Sequence, residues 1–162
     1  MTYTIENLFN KSLAFLEVAI ISSKSENNPI YNTSEYSNVT AYLLYHSTEL
    51  FLKFAICAST NKVEHGHDIY KLHEKYKKLF TDEKFEINIP FNREVKYLGF
   101  TEEQIEEHKN KYSMPFEQQL KYPVGSKGET YNPITSYDTE FLEAYKTNLL
   151  SLRCSIYPCT DI

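Results

Sequence analysis

Ser37–Ser59 reads SNVTAYLLYHSTELFLKFAICAS. Wound at about 100° per residue, its Leu43, Leu44, Leu50, Phe51, Leu52, Phe54, Ala55 and Ile56 leave almost no side of the helix polar. A helix apolar nearly all round belongs in a core or a subunit interface. The segment is therefore predicted as the central helix of an all-α fold. Its polar exceptions are not scattered. His46, Glu49 and Lys53 fall within about 60° of one another, and Tyr42 and Cys57 extend the same strip. Glu49 and Lys53 stand at i,i+4 in the favourable order. Charges on an apolar helix are costly unless paired, so the strip is either a site or a buried ion pair that ties the helix to its neighbours. The ion pair is the commoner arrangement and the first expectation.

Working outward, Ile5, Phe9, Leu13, Leu16 and Ile20 make one apolar stripe and predict a first helix over 4–24. Asn27, Asn28 and Pro29 break it, and the chain to Ser37 reads as loop. After the central helix, Asn61 to Gly66 is a turn. Asp68 caps a third helix whose buried face is Ile69, Leu72, Tyr76 and Leu79. Phe85, Ile87 and Ile89 alternate with polar residues and end at Pro90, which reads as a short extended piece. Thr101-Glu102-Glu103-Gln104 is a capping box, with a charged helix following to about 112. Ser113–Tyr137 contains Pro115, Pro123, Gly125, Gly128 and Pro133 and reads as irregular. A stretch of that length without regular structure is functional, a hairpin or a partner contact. The last helix starts near Ser136 or Asp138 and carries Phe141, Tyr145, Leu149, Leu152 and Ile156. The expected architecture is one domain, 1–162, folded as an antiparallel bundle of four to five helices with a long irregular segment before the last.

The chain has 162 residues, 41% hydrophobic and 15% aromatic, with 14 Tyr and no Trp. Its formal net charge of −5 argues against broad nonspecific binding to nucleic acid or acidic membranes. The lysines between Lys71 and Lys84, interleaved with Tyr70, Tyr76 and Phe80, read as a solvated face. Cys57, Cys154 and Cys159 form no CxxC pair and read as free cytosolic thiols. The best apolar run near the start, Leu13 to Ile21, contains Glu17 and is neither signal peptide nor membrane span, so the expected location is cytoplasmic.

Glu64-His65-Gly66-His67-Asp68, with His73 further on, invites a metal reading. The spacing fits no zinc pattern, and HxH chelates only from an extended chain. The simpler expectation is that His67 or Asp68 caps the third helix and His65 is a loop residue. No metal or cofactor is assigned. Glycine-rich phosphate loops, GxSxG and HExxH are absent, and Cys57 has no obvious base beside it.

Ala41 to Lys53, with Glu49-Leu50-Phe51-Leu52-Lys53 at its end, followed by His65-Gly66-His67-Asp68-Ile69-Tyr70-Lys71-Leu72, resembles HEPN-like domains. In these an "ELxLK" helix precedes an "HGHDLxxL" turn and helix. Lys121-Tyr122-Pro123 resembles the "RYP" segment before the last helix in some of them. The match is good over Tyr42 to Leu79 and loose elsewhere. The resemblance implies a helical homodimer in a bacterial toxin–antitoxin or phage-defence system, as an RNase toxin or as partner of a minimal nucleotidyltransferase. The ribonuclease signature of the family, an Arg followed after four to six residues by a His near the last helix, is missing. No His follows Arg153, and none lies within ten residues after Arg93. The expected function is a non-catalytic binding or dimerisation module. A divergent ribonuclease acting on RNA, and a metal-dependent or nucleotide-binding enzyme, are the alternatives. Binding would fall to Tyr42, Lys53, His65, His67, Asp68, Lys121 and Tyr122. Any catalysis would fall to His46, Glu49, Lys53 and His67.

Overall fold

The computed structural model describes residues 2–25, 33–91, 99–111, 116–122, 124, 128 and 136–157. Among them run α1 (Thr2–Ser25), α2 (Thr33–Thr60), α3 (Ile69–Leu79), a 3-10 turn (Glu83–Phe85), α4 (Glu102–Lys111), α5 (Phe116–Lys121) and α6 (Thr139–Ile156). The fold is all-α, as the periodicities require.

The central position of α2 follows from its missing polar face. Helices α1, α3, α5 and α6 all pack on it. Leu44, Phe51, Leu52, Phe54, Ala55, Ile56 and Cys57 are buried within this one chain. Most of the apolar circumference of α2 is therefore enclosed without a second chain, while Leu43 and Leu50 stay partly exposed and Val39 is half exposed.

Polar bonds between helices, from the core out to the surface, mark helix direction. Ser12 donates to the Ser47 carbonyl at 2.7 Å, which fixes α1 against α2 as an antiparallel hairpin. Ser23 pairs with Thr139 at 2.8 Å and Lys146 with Glu17 at 3.0 Å, so α6 also runs antiparallel to α1. Thr48 meets the Tyr145 hydroxyl at 3.0 Å across α2 and α6. Burial raises the Tyr145 pKa well above its ordinary 10.0 and keeps this hydroxyl neutral.

Three boundaries differ from expectation. Helix α2 begins at Thr33, because Glu35 in the first turn complements the positive end of the helix where a loop had been expected. Phe85 does not open an extended strand. It closes a 3-10 turn capped by Asp82, and only the chain after it is extended. The irregular segment is interrupted by α5, which buries Gln119 and Leu120 and carries Glu117 in its first turn and Lys121 in its last, the order the helix dipole favours. Much of the rest of that segment, including Pro123, lies outside the described residues, as do Arg93 and Cys159. The capping box at Thr101 forms as expected: the Thr101 N–H donates to Gln104 at 2.9 Å, and the Gln104 N–H to the Thr101 hydroxyl at 3.3 Å.

The extended chain from Phe85 to Phe91 has no strand beside it among the described residues. Side chains satisfy its carbonyls instead. Tyr76 donates to Phe85 O at 2.6 Å, His73 to Ile87 O at 3.0 Å and Tyr137 to Pro90 O at 2.8 Å, while Tyr70 donates to Phe91 O. The His73 bond needs a hydrogen on Nε2, which the neutral ring supplies. Burial lowers the His73 pKa below its ordinary 6.5. The bond to Ile87 O and the charge of Glu74 oppose that shift, and the charge of Lys77 adds to it. The unfolded chain therefore takes up this proton more readily than the folded one, and stability falls as pH drops through the ordinary value. Thermal melts between about pH 7.5 and about pH 5.5 should show that loss, and His73→Gln should flatten it. An unchanged pH slope in the variant would assign the loss to other groups.

Candidate functional site

Glu49 is 2% exposed and Lys53 6% exposed on α2. One carboxylate oxygen of Glu49 accepts two bonds: Lys53 Nζ at 2.7 Å and His67 Nδ1 at 3.0 Å. A carboxylate beside an ammonium acts as acceptor, so the His67 hydrogen sits on Nδ1 and Nε2 is left facing outward. The turn before α3 is fastened to α2 a second time, by the Tyr45 hydroxyl donating to the His67 carbonyl at 3.3 Å. Burial pushes the Tyr45 pKa well above its ordinary 10.0, so the hydroxyl remains a donor. Asp68 then caps α3, accepting from the backbone N–H groups of Tyr70 at 3.1 Å and Lys71 at 3.2 Å. Burial alone would raise its pKa. These bonds and the Lys71 charge outweigh burial and hold the carboxyl below its ordinary 3.8.

Above this anchor lies a cavity of about 630 Å³. Helix α2 contributes Tyr42, Tyr45 and His46 to its wall. The turn and α3 contribute His67, Asp68 and Tyr70, and α5 contributes Phe116, Glu117, Gln118 and Lys121. His46 stands between two carboxylates. Its Nδ1 is 3.6 Å from Glu49 Oε2 and its Nε2 is 3.8 Å from Glu117 Oε1, both beyond normal hydrogen-bond length. Glu49 Oε2 is buried with no hydrogen-bond partner among the described residues. Rings surround the imidazole: Tyr42 at 4.5 Å edge-on, Phe15 at 5.5 Å and Tyr45 at 6.2 Å.

Tyr42, His46, His67, Asp68 and Lys121 thus share one cavity, and Glu49 and Lys53 lie behind it. Three expected binding residues do not line the cavity, the first being Lys53 behind its wall. His65 is an exposed turn residue outside the lining. Tyr122 is half exposed outside the cavity, with Lys121 Nζ 5.5 Å from its ring. His73 turns to Ile87 O, away from His65 and His67. Among the described residues no three His, Cys, Asp or Glu side chains are grouped to hold a metal ion. Glu117 and Phe116 were missed because six residues of α5 are too few to show a helical period. Tyr45 and Tyr70 read as core and surface aromatics, and no sequence signal distinguishes them from other tyrosines.

Against protein-family models, curated proteins and solved structures, the chain matches none.

The buried pair makes a direct test. Glu49→Ala leaves the Lys53 ammonium buried without its acceptor and should destabilise by about 3 kcal/mol, or a fall of about 6–12 °C in Tm for a domain of this size. The double variant Glu49→Leu with Lys53→Met should recover much of that loss, because removing both charges removes the desolvation cost. A single variant as stable as the parent would mean that Lys53 reaches water without Glu49.

Proposed function

We propose that this chain is a cytoplasmic, non-catalytic HEPN-like helical module. It binds a ligand or a protein partner through the cavity between α2, α3 and α5. The resemblance supplies the setting: a homodimer in a bacterial toxin–antitoxin or phage-defence system, with a minimal nucleotidyltransferase as the kind of partner expected. One observation carries the reading. The ionisable groups inherited from the family pattern are engaged with one another. Lys53 and His67 both bond Glu49 Oε1, and Asp68 caps α3. They hold the fold and leave a cavity walled mainly by aromatic rings.

The cavity is also poorly suited to a phosphate chain. Lys121 is the lysine in its lining, against Glu117 and Asp68. RNA binding draws on several cations along the backbone. The ribonuclease reading keeps one supporting observation, since His46 and His67 line the same cavity and Glu49 orients one of them, as an acid–base pair would require. Among the described residues no arrangement of side chains favours the metal-dependent or nucleotide-binding reading.

Two measurements test the proposal. Purified protein incubated with total RNA should leave it intact. Cleavage that disappears in His67→Ala would replace this reading with the ribonuclease. Light scattering after size-exclusion chromatography should give twice the 19.0 kDa monomer mass. Val18, Ile21 and Val39, each at least 50% exposed at one end of the α1–α2 hairpin, are the surface that supports dimerisation. Val18→Lys with Ile21→Lys should then yield monomer, and a parent already at monomer mass would end the dimer.

A further inference from the structure

We propose that the cavity takes a small cationic ligand: a planar amidinium or guanidinium carried on an aromatic body. The inference rests on the cavity being a binding site and adds its chemical class.

The charge balance points this way. The Glu49 carboxylate is answered by Lys53, and Asp68 is committed to the start of α3 and to Lys71. Lys121 also lines the cavity, but its Nζ stands 5.5 Å from the ring of Tyr122, which is outside the lining, and it makes no ion pair with Glu117 among the described residues. Glu117 remains. Its side chain is only 21% exposed, and its ion-pair-range contact among the described residues is His46 Nε2 at 3.8 Å, with no lysine or arginine nitrogen as near. A part-buried carboxylate facing a cavity without a close donor can be met by a ligand offering two parallel N–H groups, in the bidentate geometry carboxylates prefer.

His46 marks the position such a ligand would take. It lies between two carboxylates with a hydrogen-bond-length contact to neither, and the second of them, Glu49 Oε2, is buried and without a hydrogen-bond partner. When a ligand occupies Glu117, His46 can close its 3.6 Å gap to Glu49 Oε2, so binding would satisfy two acceptors at once. Tyr42, Tyr45, Tyr70 and Phe116 supply ring faces for a flat cation, which attract positive charge through their quadrupoles. A volume of about 630 Å³ is of the size that encloses a small organic molecule.

The probes are benzamidine, benzoate and benzyl alcohol, which share a ring and differ in charge. Binding is measured by calorimetry and by the His46 ring signals in NMR, at about pH 8 where ordinary histidines are neutral and do not compete as cations. Benzamidine should saturate one site per chain and shift the His46 signals. Glu117→Gln, an isosteric change on a short surface helix, should weaken it by roughly tenfold to a hundredfold. Lys121→Gln should leave it as tight or tighter. Unchanged melting curves for both variants exclude misfolding as the cause. Benzyl alcohol binding as well as benzamidine, or benzamidine binding untouched by Glu117→Gln, overturns the cationic class. So does benzoate binding that is lost in Lys121→Gln. In each of those cases the cavity remains a binding site. If no probe binds, the cationic class falls, while the cavity as a protein-partner site is not touched by that result.

Discussion

The Glu49 carboxylate is the constraint around which the rest of the molecule is arranged. A charge placed on the innermost helix has to be answered where it lies, and water is not there to answer it. Lys53 answers the charge from one turn further along α2. His67 uses the remaining capacity of the same oxygen and in doing so fixes the chain that follows α2. From that point the path is determined closely: the Tyr45 hydroxyl takes the His67 carbonyl, Asp68 caps the next turn, and α3 leaves in a direction that buries Ile69, Leu72 and Tyr76. An apolar residue at 49 would pack as well but would not say where the turn must sit. The pair thus contributes direction more than net stability, a use to which buried polar groups are well suited.

The tyrosines play a second organising part. A helical bundle that must route an extended segment across its surface has no sheet to pair with it, and unpaired carbonyls near a core are expensive. Three tyrosines and His73 meet this need between Phe85 and Phe91, each ring covering apolar surface while its polar tip reaches a carbonyl. The absence of Trp and the abundance of Tyr fit that task, since an indole has one donor close to its bulk and a phenol carries its donor at the end of a slim ring.

Much of the architecture was legible because it is carried by long, strongly periodic segments. The all-round apolarity of Ser37–Ser59 identified the central helix, and the i,i+4 spacing of Glu49 and Lys53 identified the buried pair before any coordinates. Asp68 and the Thr101 box were readable for a similar reason: caps are local, and local chemistry is written locally. What was not legible depends on neighbours distant in sequence. Whether α2 needs another chain to cover it turns on how α1, α3, α5 and α6 close around it, and a pattern on one helix does not contain that information. Six-residue α5 lacks the length for a period and is held by Gln119 and Leu120 packing on α2, so Glu117 and Phe116 were invisible as site residues. His46 was noticed, but only its position between Glu49 and Glu117 makes it interesting.

The same economy bears on what the cavity can do. A side chain that acts on a substrate must be free to change its partners, and those that fasten a turn to a core are not. Lys53 is sealed behind the wall, and His67 has one nitrogen fixed by the bond that orients the turn. His46 differs. Its contacts to both carboxylates are long, and its ring is held by aromatic edges and faces rather than by a hydrogen bond to either of them. Adaptability in this site therefore resides in His46 and in Glu117 on a short helix, while the Glu49–Lys53–His67 cluster is fixed by its mutual bonds. The fixed cluster and the adjustable His46 thus share α2, with Glu117 facing them from α5, so the cavity can respond to a ligand without loosening the turn that Glu49 holds.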